Sequence, residues 1–188
     1  MKAIMKITMV RHEKVDMQWN KKYNSVTYDL ACDKYDRCPI VFSQGEYFET
    51  DDTKSVYISE LSRTYETAYR IFKKTEFCKT AFLNEVPLKS FKDTDKMYSL
   101  WLWNLAGRVQ WLLQSGRQME TKKDTMLRAE KMIKLLEEHQ QDCYLVTHGF
   151  YMRTLIRVLK KHGYKIKKRK LFGISNLDII VATPKTGF

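Results

Sequence analysis

Two histidines, two arginines and one glutamate each stand just beyond a short apolar run: Arg11-His12, Arg63, Glu85 and His148. Together these side chains can carry out phosphoryl transfer. An imidazole nitrogen attacks phosphorus and holds the phosphoryl group as a phosphohistidine, which divides a hydrolysis into two displacements. Guanidinium groups bind phosphoryl oxygens bidentately and keep them in line. A second histidine can stabilise charge on the equatorial oxygens. A carboxyl can give a proton to the leaving group and then take one from water. With arginines and histidine supplying positive charge, the chemistry requires no metal.

The elements that must position these residues follow from hydrophobic periodicity. Residues 3–10, 55–59, 80–84, 143–147 and 177–183 read as strands, the first a near-continuous apolar run suited to a sheet buried on both faces. Residues 27–35, 61–73, 124–140 and 150–161 read as helices, with apolar side chains at steps of three and four. This alternation predicts a three-layer α/β/α sandwich with a mostly parallel central sheet. Ligands of such sheets bind beyond the carboxyl ends of the strands, where the five residues stand. No Pro/Gly/Ser-rich linker divides the chain, so residues 1–188 read as one domain, with a small helical lid expected within 86–120.

Four segments carry a family resemblance: Val10-Arg11-His12, Ser59-x-Leu61-x-Arg63-x-x-x-Thr67-Ala68, Leu83-Asn84-Glu85-Val86-Pro87 and Val146-Thr147-His148-Gly149. Each is weak alone, but their order and spacing are specific. The chain resembles the histidine phosphatase superfamily, the phosphoglycerate mutase-like family. The resemblance implies that His12 is the phosphorylated nucleophile. It implies that Arg11, Arg63 and His148 form the phosphate pocket and that Glu85 is the acid/base. It further implies hydrolysis of a small phosphorylated substrate without a cofactor. The modest length available for a lid favours the phosphatase branch over a phosphoglycerate mutase-type phosphotransferase. Two departures stand out. Glu13 occupies a position where the family usually has Gly, which permits unusual backbone geometry or close ligand approach. Gln18 stands where the family often has Asn. If Glu13 points inward it brings negative charge to the phosphate, and a catalytically weak member that binds phosphorylated ligands or partners becomes the alternative. Glu13 and Asp16 also stand beside Glu85 as alternative acid/bases.

Composition narrows the partners. The 188 residues carry a formal net charge of +12 and are 44% hydrophobic, enough for a core. No apolar run reaches the roughly 18–20 residues of a membrane span, and the charged N-terminal run does not read as a secretory signal. A cytoplasmic location is expected. Between Asp142 and Asp178 lie nine cations and no acid, which leaves +3 for the rest of the chain. The densest part, residues 165–170, reads as a solvated connection, with nucleic-acid binding as its functional alternative. The four cysteines lack C-x-x-C spacing and read as reduced and mostly buried, and no metal site is expected. Oligomeric state is not encoded in any of these signals.

Overall fold

The computed structural model describes residues 5–42, 47–168 and 173–185. In chain order the elements are β1 (Ile7–Arg11), β2 (Lys22–Tyr23), α1 (Ser25–Arg37), β3 (Ser55–Ile58), α2 (Ser62–Phe72) and β4 (Cys78–Lys79). A 3-10 turn (Ala81–Leu83) follows, then β5 (Tyr98–Ser99), α3 (Leu100–Leu112), α4 (Lys122–His139), β6 (Cys143–Thr147), α5 (Gly149–Lys161), β7 (Tyr164–Lys168) and β8 (Ile179–Pro184).

Six strands form the central sheet in the order β4-β3-β6-β1-β8-β7. The first four run parallel, and β8 and β7 add antiparallel pairings at one side. Alternation along the strands sorts the core into two layers. Ile7, Met9, Tyr57, Cys143 and Leu145 pack with α4 and α5 on one face. Val10, Val56, Ile58, Tyr144 and Val146 pack with α2 on the other. A third cluster, Tyr23, Tyr28, Ala31 and Trp103, joins α1 to α3 beside the strand ends. The result is the expected α/β fold with a mostly parallel sheet, and α3 falls inside the 86–120 segment. No described helix is long and apolar enough to cross a membrane.

Several local expectations are corrected. Residues 80–84 are not a strand. Pairing with β3 ends at Lys79, and the Thr80 hydroxyl then accepts from the Phe82 N–H at 3.2 Å, which turns the chain into the 3-10 segment. The basic run is not simply a solvated connection: Tyr164–Lys168 is an edge strand. Its Tyr164 and Ile166 pack on the core while Lys165 and Lys167 are exposed, a period of two that the charge had obscured. Lys170 and Arg169 lie outside the described residues, as do residues 3–4 of the first predicted strand. All four cysteines are free, but only Cys143 is buried; Cys32 and Cys38 are half-buried and Cys78 is exposed.

Candidate active site

The register of the sheet brings the predicted residues to one edge. Arg11 is paired with Thr147 and Ile58 with Val146, so the chain after β1, β3 and β6 emerges at a common level. The His12 N–H continues the ladder to the Thr147 carbonyl at 3.0 Å. His12 and His148 then face one another with ring centroids 5.0 Å apart.

Both imidazoles are buried. His12 Nδ1 lies 2.6 Å from the carbonyl of Glu13. A carbonyl only accepts, so Nδ1 carries the proton and Nε2 keeps its lone pair. Burial, with further lowering by the Arg63 and Arg11 charges against the raising effect of that carbonyl bond, holds the His12 pKa down at about 3. His148 is likewise held well below the ordinary histidine range, by burial first and then by His12 and the neighbouring arginines. Its Nδ1 accepts from Arg63 Nε at 3.2 Å, which leaves Nε2–H to donate to Ser59 Oγ at 2.8 Å. The Ser59 and Thr64 hydroxyls lie 2.8 Å apart, and Thr64 donates onward to the Leu61 carbonyl. This chain fixes the imidazole that in turn orients Arg63.

The arginines are the least satisfied groups. Arg63 is fully buried, and its Nη1 pairs with Asp36 on α1 at 2.9 Å. Its Nη2 is buried with no partner. Arg11 donates from Nη1 to the Ile174 carbonyl at 2.6 Å, and its Nε is also buried and unpartnered. Gly149 makes room for this side chain: a Cβ there would lie 2.8 Å from Arg11 Nε and 2.9 Å from its Cζ. Two desolvated guanidinium N–H groups without acceptors are costly, and a bound anion is the kind of ligand that would offset that cost.

Glu85 projects from the segment after the 3-10 turn into the wall of the same cavity. Arg128 holds that segment, donating to the carbonyls of Phe82 and Asn84 at 3.1 and 2.7 Å, and Thr147 Oγ1 donates to Leu83 O at 2.7 Å. The carboxylate itself accepts from the Tyr151 and Phe150 N–H groups in the first turn of α5, at 2.9 and 3.3 Å. The alternative carboxylates lie elsewhere. Asp16 is exposed, and Gln18 is too. Glu13 is buried but turned away from the cavity: its carboxylate accepts from the Tyr47 hydroxyl at 2.9 Å and faces Arg70 at 3.8 Å. Glu13 does not have a positive φ, so a side chain is tolerated there without backbone strain.

The cavity encloses about 760 Å³, far more than one phosphate needs, between α1, α3 and the 81–88 segment. Arg11, Arg63 and Glu85 stand at one end, and Trp19, Tyr35, Leu100, Asn104 and Arg108 line the rest. Among the described residues no group of three or more His, Cys, Asp or Glu side chains could hold a metal ion. No spacing in the sequence marks Asp36, Ser59 as a partner of His148, or Arg108 as parts of this site.

Comparison with known proteins bears on this constellation. A model of the Histidine phosphatase superfamily (branch 1) matches residues 43–187. The chain belongs to the histidine phosphatase superfamily. The matched stretch contains Arg63, Glu85 and His148 and begins after Arg11-His12. No curated protein matches the chain. Among solved structures it is similar to the product of the open reading frame Rv3214 from Mycobacterium tuberculosis, with a TM-score of 0.60 at 16% identity over 97% of this chain and 93% of that one. It is similar to phosphoserine phosphatase from Entamoeba histolytica in complex with 3-phosphoglyceric acid, with a TM-score of 0.59 at 15% identity over 98% and 96%. A mycobacterial glucosyl-3-phosphoglycerate phosphatase gives 0.54 at 16% identity over 94% and 89%. These likenesses show a phosphoglycerate mutase-like fold that includes the N-terminal strand of this histidine phosphatase relative.

Proposed function

We propose that the protein is a phosphomonoesterase that hydrolyses a small phosphorylated substrate through a phosphohistidine on His12. The observation that carries this reading is the pair of buried, unpartnered guanidinium donors, Arg11 Nε and Arg63 Nη2, beside a neutral imidazole. In the first step His12 Nε2 attacks phosphorus, the ester P–O bond breaks, and Glu85 in its protonated form gives its proton to the leaving oxygen. In the second step Glu85 takes a proton from water, the water oxygen attacks phosphorus, and the P–N bond breaks to release inorganic phosphate. Arg11 and Arg63 supply the positive charge around the equatorial oxygens, so the proposed reaction involves no metal. Helix α3 forms the lid. Four free cysteines suit a reducing compartment, in keeping with a cytoplasmic enzyme.

The test is a panel of phosphate esters together with acid-labile labelling of the protein by radioactive phosphate. Turnover and label should both disappear in His12→Ala, with a loss of about 10³-fold or more in kcat/KM. Release of inorganic phosphate, rather than a phosphorylated isomer, separates hydrolysis from a mutase. Turnover that survives in His12→Ala would overturn the reading. Binding of phosphate analogues by wild type without label or turnover would point instead to a non-catalytic binder.

A further inference from the structure

One buried acid beside the nucleophile has no part in the proposed reaction. Glu13 is 1% exposed, and its carboxylate faces away from the cavity. Its carbonyl accepts the His12 Nδ1–H at 2.6 Å, which among the described residues is that ring's only hydrogen bond. The tautomer that leaves Nε2 free to attack therefore depends on where a single carbonyl points. A carbonyl is aimed by the two soft dihedrals of its residue. The family usually places glycine here, the residue with the least restricted dihedrals. This chain places glutamate and ties down its side chain.

The ties converge on α2. The Glu13 carboxylate accepts from the Tyr47 hydroxyl at 2.9 Å, and that hydroxyl in turn accepts from Arg70 Nε at 3.0 Å. Arg70 Nε also forms an ion pair with the second carboxylate oxygen at 3.8 Å, and its guanidinium covers the Phe42 ring at 4.1 Å. One turn earlier on α2 the Thr67 hydroxyl accepts from the Glu13 N–H at 3.0 Å while it donates to the Arg63 carbonyl at 2.6 Å. Arg63, Thr67 and Arg70 recur at steps of four and three. The helix that carries the phosphate-seat arginine thus also holds residue 13, by its backbone and by its side chain. A buried carboxylate is costly unless it is paired, and this one is paired on the side away from the cavity.

We infer that Glu13 is a positioning residue: its carboxylate, clamped by Tyr47 and Arg70, fixes the backbone whose carbonyl keeps the proton on His12 Nδ1 and leaves Nε2 as the nucleophile. This role rests on the phosphohistidine reading above and adds to it the device that aims the attacking nitrogen. The departure from glycine then has the opposite sign to a weakening one. The Glu13 charge is held by Arg70 rather than set against the phosphate, so the side chain supports the reaction. Tying His12 and Arg63 to one helix keeps the attacking nitrogen and the phosphoryl oxygens in a constant relation, the condition for in-line transfer.

The experiment reads the His12 tautomer directly, by long-range proton–nitrogen correlation NMR of protein labelled with nitrogen-15 histidine at neutral pH, with His12→Gln to assign the signals. Wild type should show the Nδ1–H form alone. Glu13→Ala removes the clamp but keeps an ordinary backbone. It should show both tautomers in exchange, with kcat down by about tenfold to a hundredfold and KM within about twofold. Glu13→Gln keeps an acceptor for Tyr47 and should restore the single tautomer and most of kcat. Tyr47→Phe is the milder probe should Glu13→Ala not fold, and it should lower the Nδ1–H share with a loss of about threefold to tenfold in kcat. The Nδ1–H form alone in Glu13→Ala and in Tyr47→Phe, or a loss of kcat without a change of tautomer, overturns the inference. So does a mixture of tautomers in wild type. The NMR readout needs no substrate, so it decides the positioning role even where no ester turns over. Turnover that survives in His12→Ala removes the hydrolase reading and leaves the tautomer result standing.

Discussion

Burial of two uncharged imidazoles beside two guanidinium groups sets the behaviour of the site at the level of single residues. His12 and His148 are both held below the ordinary histidine range, chiefly by burial. The sign of the consequence is fixed. In the unfolded chain each ring takes a proton near pH 6.5, whereas in the folded protein it does so only at much lower pH. The stability each confers by staying neutral is complete above about pH 6.5 and is lost as pH falls from there toward the folded values. Each histidine should steepen the decline by up to about 1.4 kcal/mol per pH unit. Urea unfolding at about pH 7 and pH 5 should show the loss, and His148→Asn should remove about half of the histidine part. A variant with the same pH dependence as wild type would mean that His148 is not buried neutral. The residue types themselves were legible in the sequence, because His, Arg and Glu at strand ends have few structural uses in combination. Asp36 and Arg108 were not legible. They reach the site from helices far along the chain, and no spacing links them to Arg63 or Glu85. Nor could the sequence say which way Glu13 points, which depends on Tyr47 and Arg70.

Among the elements, α5 does the most positioning. It opens directly after His148, its first N–H groups receive the Glu85 carboxylate, and Gly149 leaves the space that Arg11 occupies. Gly149→Ala separates stability from function. Gly149 is the first residue of α5, so the helix-interior gain of alanine, up to about 1 kcal/mol, applies only in part and is offset by the shift of Arg11; thermal stability should hold. The added Cβ would meet the Arg11 guanidinium and push it off the phosphate seat. A displacement of this kind costs on the order of 10²-fold in rate, so kcat/KM should fall by about tenfold to a hundredfold with Tm preserved. Activity equal to wild type would show that Arg11 yields without penalty. Apolar periodicity alone marks β6 and α5 almost to their ends. The 3-10 turn before Glu85 has the apolar pattern of a strand in Ala81, Phe82 and Leu83, and only a hydroxyl–backbone bond at Thr80 turns the chain. Glu85 nevertheless reaches the site, because Arg128 and Thr147 fix the turn from outside the segment.

For the whole molecule, the question is what a net charge of +12 accomplishes. Among the described residues of its densest run, none lines the cavity. Lys165, Lys167 and Lys168 are exposed on β7, which among the described residues ends the sheet and has a neighbour on one side only. An edge strand presents unpaired N–H and C=O groups that can template pairing with another chain, and lysines there prevent it. The opposite edge is protected differently, by its brevity: β4 is two residues long. Exposed lysines at this position suit an edge that must stay unpaired. Lys165→Val with Lys167→Val should convert β7 into a flat apolar edge next to Ile166. The double variant should associate with rising concentration in light scattering, while dilute samples keep wild-type turnover, since neither lysine lines the cavity. Wild type should release a single-stranded oligonucleotide at moderate salt, the behaviour of nonspecific charge. A double variant that stays monomeric and also loses tight, salt-resistant oligonucleotide binding would assign the charge to a nucleic-acid surface instead.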